Sequence, residues 1–171
     1  MTACNIEIKA RLADFESFKR RAAALSAGPA EMIPQVDTFF HTPRGRLKLR
    51  LLAPQRAQLV FYERADMHGP KRSDYHIHET DDPENLKTVL ALALGVRGVV
   101  IKIRYLYLVG QTRIHLDDVE GLGQFMELEV VLRPGQSDAE GHAIAEDLME
   151  KLGIEKDDLL EGAYMDLLED K

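Results

Sequence analysis

The sequence contains no tryptophan and only one cysteine, Cys4, among its 171 residues. A single cysteine cannot form an internal disulfide, and the cysteine and histidine positions lack the spacing of a zinc site. No apolar run approaches the length that a membrane-spanning helix needs, and the first residues lack the apolar core of a signal peptide. We therefore expect a cytoplasmic protein that has no membrane partner.

An excess of positive charge is also missing. The chain has 22 lysines and arginines against 29 acidic residues, so its formal net charge is −7 at pH 7. This balance gives no overall attraction to nucleic-acid backbones or to anionic lipids. We therefore expect no nucleic-acid polymer as a partner, and any anion site must be local and concave. The oligomeric state is open, with a homodimer as the alternative to a monomer.

Alternation of polar and apolar residues predicts about eight strands, interrupted by turn signals and by amphipathic helices. No linker, repeat or low-complexity segment divides the chain. Its length suits one well-packed domain, so we expect a single α+β domain over residues 1–171. The predicted strands are 4–12, 36–42, 46–52, 57–65, 72–80, 99–109, 111–120 and 124–132; the predicted helices are 14–26, 81–95 and 137–152, with a short helical tail at 157–169.

Capping residues support the three longer helices. Asp14 and Asp82 stand at predicted N-caps, and Ser137 with Glu140 has the spacing of a capping box. The apolar stripe of each helix needs a sheet to pack against. For the second helix the predicted stripe consists of Leu86, Val89, Leu90 and Ala93.

Five of the predicted strands carry charged residues at every second position, so each strand has one charged face. Either an open sheet turns these faces to water, or a closed barrel directs them into its interior. Cations buried in a barrel would need an anion among them, and a triphosphate supplies several negative charges in a row. Carboxylates beside it would suit Mg²⁺ or Mn²⁺. The charged positions are Glu7, Lys9 and Arg11, then Arg46, Lys48 and Arg50, then Lys102 and Arg104, then Arg113, His115 and Asp117, and finally Glu127 and Glu129.

Several motifs occur in the order found in a known family. The segment "NIEIK" is similar to a first strand of the form E-x-E-x-K, and "DTFFHTPRGRLKLR", "KIR", "HLDDVEGLG" and "FMELEV" follow it. Together they make nearly the whole chain resemble the CYTH domains, also called triphosphate tunnel metalloenzymes. That family is named for class IV adenylate cyclase and thiamine triphosphatase. The resemblance is greater to the adenylate-cyclase-like branch, and the absence of tryptophan disfavours thiamine triphosphate as the substrate.

The resemblance implies a closed eight-stranded antiparallel β-barrel, or tunnel, with amphipathic helices packed on the outside. It implies a phosphohydrolase that uses Mg²⁺ or Mn²⁺ and acts on inorganic tripolyphosphate or a nucleoside triphosphate. Two alternatives stay open: a class IV adenylate cyclase that makes cyclic AMP and pyrophosphate from ATP, and a non-catalytic module that binds triphosphate or polyphosphate. The implied metal ligands are Glu7, Glu127, Glu129 and Asp117; the implied triphosphate-binding cations are Lys9, Lys48, Arg50, Lys102 and Arg104, with Arg64 and Arg113 as further candidates; the implied catalytic residues are Lys9 and Glu129.

Two positions depart from the family pattern. Asn5 stands where the first-strand motif has its first acid. A neutral amide is a poorer ligand for a hard cation, so we expect a second metal to be weakened or lost. Where the fourth strand usually carries a lysine, this chain has Arg64 next to Glu63. Strand alternation directs these two side chains to opposite faces, and Arg64 is the candidate replacement.

Three histidines and one basic pair offer further candidate sites. His76 and His78 have H-x-H spacing without an evident third ligand, so we expect surface or partly buried histidines. His115 lies on the predicted inner face, where either a structural role or contact with phosphate and proton transfer fits. Lys71 and Arg72 either reach a phosphate at the tunnel mouth or form a solvated pair after a turn.

Overall fold

The structure is a computed structural model, and it describes residues 3–171. Within these residues the chain forms eight β-strands, four α-helices and one short 3₁₀ helix. In chain order the elements are β1 (Ala3–Arg11), α1 (Phe15–Leu25), β2 (Glu31–Phe40), β3 (Arg46–Ala53), β4 (Arg56–Arg64), β5 (Lys71–Thr80), α2 (Pro83–Leu94), β6 (Val96–Val109), β7 (Thr112–Val119), β8 (Gly123–Val131), α3 (Asp138–Leu152), the 3₁₀ helix (Lys156–Asp158) and α4 (Tyr164–Glu169).

The eight strands close into one antiparallel barrel. Their order around it is β1-β5-β4-β3-β2-β6-β7-β8, and β8 pairs again with β1. Each strand directs every second side chain inward. On β1, Glu7 and Lys9 line the interior, while Ile6 and Ile8 are buried on the outer face against the helices. The prediction of a closed α+β barrel is therefore confirmed, and the open sheet is excluded.

The largest apolar core lies outside the barrel wall. There α1 and α3 cover the outward faces of β1, β7 and β8, and the two helices also contact each other. Phe18 of α1 and Leu152 of α3 meet Ile114 and Leu128 in this layer, and all four side chains are buried. Because the apolar faces of these strands pack against the helices, the polar faces line the interior of the barrel.

The predicted caps of all three longer helices are present, including Asp82, whose carboxylate accepts a hydrogen bond from the backbone N–H of Asn85 at 3.4 Å. The Asp14 carboxylate accepts a hydrogen bond from the backbone N–H of Ser17 at 2.9 Å. Ser137 and Glu140 form a reciprocal capping box at the start of α3, and Gly153 ends that helix in the left-handed conformation. These local signals were readable because a cap needs only neighbouring residues.

The predicted apolar stripe of α2 is partly wrong. Leu86, Leu90 and Ala91 pack against the outward faces of the barrel strands. Val89, however, is 53% exposed, and Ala93 also faces solvent. The helix is apolar around most of its circumference, so periodicity could not identify which narrow side contacts the barrel.

β2 begins at Glu31, earlier than the predicted start at 36. Its extra residues pair with β6, where Glu31 lies opposite Leu106, whereas pairing with β3 starts only at Val36. Pro34 therefore lies in a stretch of β2 that has a strand partner on one side only, which is the kind of position where a sheet tolerates proline. The sequence signal was weak because proline usually argues against a strand.

Part of the outer wall stays apolar and exposed. Met32, Ile101 and Ile103 on β2 and β6 face solvent, as do Val89 and Leu92 on α2. The homodimer stays a prediction, as does the single domain over residues 1–171. Among the described residues, the helices are too short or too polar to cross a bilayer.

Candidate functional site

A polar cavity of about 300 Å³ fills the middle of the barrel. Strands from around the whole barrel contribute to its lining, because each directs its polar face inward. All seven predicted triphosphate-binding cations line this one cavity, together with three of the four predicted metal acids. The acidic, basic and histidine residues of the lining are Glu7, Lys9, Asp37, Lys48, Arg50, Arg64, Lys102, Arg104, Arg113, His115, Glu127 and Glu129.

A histidine and two carboxylates form a compact cluster on β7 and β8. His115 lies opposite Glu127 in the strand register, and alternation brings Glu129 to the same face. The His115 Nδ1 atom is 3.7 Å from Glu127 Oε2 and 3.8 Å from Glu129 Oε1. Within residues 3–171 this is the one group whose three donor atoms lie within 4.8 Å of one another. Its nitrogen and oxygen donors suit a divalent cation.

Glu7 lies near this cluster but is bound to another partner. Its carboxylate accepts a short hydrogen bond from Arg64, which also donates to the backbone carbonyl of Gly162 at 2.6 Å. Burial, reinforced by Glu129, raises the pKa of Glu7 although Arg64 opposes this shift. The two neighbours lie on opposite faces, as alternation predicts: Arg64 lines the cavity and Glu63 is exposed.

Asp117 is fully buried and already saturated with hydrogen bonds. Arg104 donates to both of its oxygens, at 2.7 and 2.6 Å, and the Tyr164 hydroxyl donates at 2.9 Å. Burial alone would raise the pKa of Asp117, but Arg104 and Lys102 hold it far below its ordinary value. In this structure the residue organises cations, and its role as a metal ligand stays a prediction.

Asp37 plays the same part for the cations of β3, and sequence reasoning missed it. It accepts two hydrogen bonds from Arg50 at 2.8 Å and one from Lys48 at 3.0 Å. The signal was present, since Asp37 and Phe39 lie two residues apart and therefore on the same face of a predicted strand. A single acid in "VDTFF" did not match the other strands, which carry charged residues at every second position.

Lys9 is enclosed by three different partners. Its Nζ lies 3.1 Å from Glu127 Oε1, donates to the Gly162 carbonyl at 3.2 Å, and sits 3.9 Å from the centre of the Tyr164 ring. Burial lowers the pKa of Lys9, and Glu127 counteracts part of this shift. The lysine is thus fixed beside the histidine–carboxylate cluster.

Lys102 has the most perturbed lysine environment in the cavity. Burial and the neighbouring Arg104 lower its pKa to about 7, although Asp117 lies 3.5 Å away. Such a lysine can exchange its proton near neutral pH. It therefore gives the cavity a positive charge that depends on pH.

The C-terminal segment closes one end of the barrel, which the sequence did not reveal. Ala163 and Tyr164 line the cavity there, and the Tyr164 ring also lies 4.9 Å from Lys102 Nζ. Met165 packs on the backbone of Gly98, which leaves no room for a Cβ atom at that position. The opposite end is partly exposed and is lined by Ile33, Ile77 and Leu106.

The remaining candidates lie away from the cavity or at its edge. His76 and His78 are exposed on the outer face of β5, as expected for surface histidines. Arg72 is also exposed and pairs with Asp74. Lys71, by contrast, is buried, and burial near Arg64 lowers its pKa to about 8.

These features define a class of protein: a closed β-barrel whose interior concentrates basic side chains beside a cluster of one histidine and two carboxylates. A family model, the CYTH domain, matches residues 3–164. The chain therefore belongs to the CYTH domain family, and the resemblance drawn from its motifs is confirmed.

Relatives with similar chains agree with this assignment. Adenylate cyclase CyaB of Aeromonas hydrophila is 27% identical over 176 residues, which cover 96% of this chain and 88% of that protein. The structure of the PH1012 protein from Pyrococcus horikoshii superposes with a TM-score of 0.85 at 28% identity, and covers 95% of this chain and 98% of that one. HpAC1 from Hippeastrum, proposed to be an adenylyl cyclase and described as having a dominant triphosphatase activity, shares the fold, with a TM-score of 0.64 at 18% identity over 93% of this chain and 91% of that one.

Proposed function

We propose that this protein is a metal-dependent phosphohydrolase that binds a triphosphate inside its barrel. The observation that carries the proposal is the convergence of seven basic side chains and a histidine–carboxylate cluster on one enclosed cavity. On an open sheet these cations would face solvent. In the barrel they are buried together, which is costly unless an anion lies among them.

The charge balance of the cavity supports a triphosphate. The seven cations face five buried or part-buried carboxylates, namely Glu7, Asp37, Asp117, Glu127 and Glu129. With every lysine protonated, the site has an excess of two positive charges, which a bound divalent cation raises to four. A triphosphate brings about four negative charges, which this excess would neutralise.

The donor atoms present would fit a divalent metal ion. His115, Glu127 and Glu129 would hold it, since their donor atoms already converge. When bound, the metal would polarise phosphate oxygens and lower the pKa of an attacking water. Lys48 and Arg50 on one wall and Lys102 and Arg104 on the adjoining wall would neutralise the charge of the phosphate chain.

Lys9 and Glu129 are assigned the catalytic roles. Lys9 is fixed between Glu127 and the Gly162 carbonyl, where it would orient the attacking water or stabilise developing charge. Glu129 faces the cluster through one oxygen while Arg113 holds the other at 2.8 Å. Positioning and electrostatics would therefore supply most of the rate enhancement, as in phosphoryl transfer generally.

An adenylate cyclase is the second candidate function, and the similarity to CyaB favours it. The same cavity would then present the α-phosphorus of ATP to the ribose hydroxyl instead of presenting the terminal phosphorus to water. Non-catalytic binding is the third candidate. The neutral Asn5 and the pairing of Glu7 with Arg64 favour it, because both reduce the negative charge available to metals.

One experiment separates these three functions. The purified protein is incubated with tripolyphosphate, ATP or thiamine triphosphate, each with Mg²⁺ or Mn²⁺, while phosphate, pyrophosphate and cyclic AMP are measured. Metal-dependent phosphate release is the expected result. Cyclic AMP with pyrophosphate would establish the cyclase instead, and tight binding without any product would establish the binding module.

A matched pair of variants ties the activity to the cavity. Lys48→Gln removes a cavity cation while Arg50 stays on Asp37, and Lys87→Gln removes an exposed cation on α2. We expect KM for the triphosphate to rise about tenfold or more for Lys48→Gln and to stay unchanged for Lys87→Gln. Equal effects of the two variants would place the substrate outside the barrel.

A further inference from the structure

We propose that the metal site of this chain is a mixed nitrogen and oxygen site, formed by His115, Glu127 and Glu129, which binds Mn²⁺ more tightly than Mg²⁺. Glu7, the remaining acid of the first-strand motif, lies outside the ligand set. This inference rests on the proposed function, because it concerns the same cavity, but it is tested by metal binding rather than by turnover.

Two features of the first strand reduce its capacity to bind a metal. Asn5 replaces one acid with a neutral amide, whose Oδ1 atom is buried without a hydrogen-bond partner within the described chain. Glu7 keeps its charge but is bonded to Arg64. Arg64 is itself fixed by the Gly162 carbonyl, so releasing Glu7 would leave two buried groups to find new partners.

His115 supplies a metal-binding donor atom in place of those that the first strand lacks. The residue is 4% exposed, and its Nδ1 atom has no hydrogen-bond partner among residues 3–171. That nitrogen points between the two carboxylates, which lie 3.7 and 3.8 Å away. Leaving a buried ring nitrogen without a partner is costly, and coordination of a cation held by both carboxylates would satisfy it.

The carboxylates leave room for this third ligand. Arg113 contacts Glu129 through Oε2, whereas Oε1 faces His115. Glu127 is held more firmly, by Lys9 on one oxygen and Arg104 on the other. A triphosphate would draw these two cations to its own oxygens and free Glu127. We therefore expect the metal and the triphosphate to bind cooperatively, each strengthening the other.

The donor set also selects the metal. Mg²⁺ prefers oxygen ligands, keeps several waters and demands near-ideal octahedral geometry. Mn²⁺ shares the preference of Mg²⁺ for carboxylates, but as a transition-metal ion it also binds imidazole nitrogen, although it has the lowest affinity of the divalent first-row metals. One imidazole with two carboxylates should therefore favour Mn²⁺, by about tenfold or more.

The test measures binding of Mn²⁺ and Mg²⁺ to the full chain by calorimetry, with and without a methylene-bridged triphosphate analogue that cannot be hydrolysed. Pulsed electron paramagnetic resonance on the Mn²⁺-loaded wild-type protein then reports whether a nitrogen is coordinated. We expect nitrogen coupling in the wild type, its loss in His115→Gln, and Mn²⁺ affinity reduced about tenfold or more in that variant.

Three variants serve as controls. His76→Gln with His78→Gln removes the exposed H-x-H pair and should keep both the coupling and the affinity. Glu7→Gln should change Mn²⁺ affinity less than threefold, whereas Glu129→Gln should reduce it at least as much as His115→Gln. Comparing melting temperatures shows whether each variant remains folded.

Several results would overturn the inference. They are a wild-type spectrum without nitrogen coupling, coupling that survives in His115→Gln, failure of Mn²⁺ to bind in either arm, or a loss in Glu7→Gln equal to that in Glu129→Gln. The outcome is separable from that of the proposed function. Phosphate release without nitrogen coupling would support the hydrolase and contradict the histidine ligand. Nitrogen coupling without phosphate release would support the histidine ligand and contradict the hydrolase.

Discussion

Each buried carboxylate of the cavity is held by particular cations, so the site is an array of ion pairs. Asp37 holds the cations of β3, and Asp117 holds Arg104. Such pairs are costly to bury and costly to break one partner at a time. An incoming triphosphate therefore exchanges partners with the carboxylates instead of meeting free cations, and single substitutions should reveal which pairs matter.

Glu129 should be essential for turnover. Glu129→Gln keeps the shape of the side chain but removes the charge that faces the metal cluster. We expect the metal-dependent rate to fall at least about a hundredfold, measured as phosphate released from tripolyphosphate. The fold should survive, because Arg113 is partly exposed and can be solvated instead. Glu63→Gln, at an exposed acid on β4, is the control, and a Glu129→Gln protein with full turnover would contradict the assignment.

Lys102 should make triphosphate binding depend on pH. Burial lowers its pKa to about 7, so the lysine is mostly neutral at pH 8 to 9. A bound triphosphate favours the protonated form, so binding takes up a proton and the affinity falls as pH rises above 7. The fall is at most about tenfold per pH unit. Calorimetry in buffers of different ionisation enthalpy measures this proton uptake directly.

Lys102→Arg is the control for that pH dependence. Arginine stays charged throughout this range, so the component of the slope due to residue 102 should disappear, while ionisation of the ligand contributes equally to both proteins. An unchanged slope in Lys102→Arg would show that another group, such as Lys71 with its pKa of about 8, is responsible.

At the scale of elements, the segment that leads into α4 decides the shape of the site. Gly162 has a φ of +73°, a conformation that other residues rarely adopt, and its carbonyl there accepts hydrogen bonds from Lys9 and Arg64. One turn later, Asp166 fixes α4 to two barrel strands through Arg46 and Arg97. The C-terminal segment is thus attached both to the cavity and to its rim.

Asp166→Asn should loosen this attachment. The carboxylate accepts the Ala163 N–H at 2.6 Å and one hydrogen bond of 2.7 Å from each of the two arginines. We expect the free energy of unfolding to fall by about 1–3 kcal/mol and amide hydrogen exchange over residues 160–169 to accelerate, as measured by mass spectrometry. Asp170→Asn, at an exposed acid in the same segment, should change neither. Equal exchange in the two variants would show that Asp166 does not hold the helix.

At the scale of the whole molecule, the barrel is a cavity with one closed end in a chain of net charge −7. A local excess of positive charge therefore lies in the interior, whereas the net negative charge of the whole chain does not attract polyanions in general. Because Ala163 and Tyr164 cover one end, a phosphate chain should enter through the end lined by Ile33, Ile77 and Leu106.

Because ligands would enter from one end only, the protein should distinguish triphosphates that have a free terminal phosphate from those that are esterified at both ends. A triphosphate with a free terminal phosphate should bind, whereas one esterified by a nucleoside at both ends should bind at least about tenfold more weakly. Competition against a fluorescent triphosphate, with ATP and diadenosine triphosphate as competitors, measures the difference. Equal affinities would show that the C-terminal segment opens or that the ligand passes it.

Much of the fold and of the lining was predictable from the sequence. The charged faces of β1, β3, β6, β7 and β8 follow from the alternation of charged and apolar residues, which is local to each strand. Alternation on β4 also predicted that Arg64 and Glu63 lie on opposite faces, and the structure decides which of them faces inward: Arg64 lines the cavity. The predicted roles of Glu7 and Asp117, which are bound to Arg64 and Arg104 here, were assigned from the family pattern and stay predictions.

Partners across the barrel were not predictable in the same way. The pairing of Arg64 with Glu7, and the convergence of His115 with Glu127 and Glu129, depend on strand register and on which neighbours compete for the same oxygen atoms. The C-terminal segment shows this most clearly, since its helical pattern contained no sign that Gly162 and Tyr164 enter the site.

The amino-acid order alone was enough to specify the strands, most helix caps and the side of each strand that carries charge, because these depend on residues a few positions apart. Closure of the barrel then settled which cation faces which carboxylate and which end of the cavity is covered. Those properties come from contacts between residues as distant in the chain as Lys9 and Gly162. Long-range contacts of this kind produce no periodic pattern in the sequence, so only the tertiary structure could reveal them.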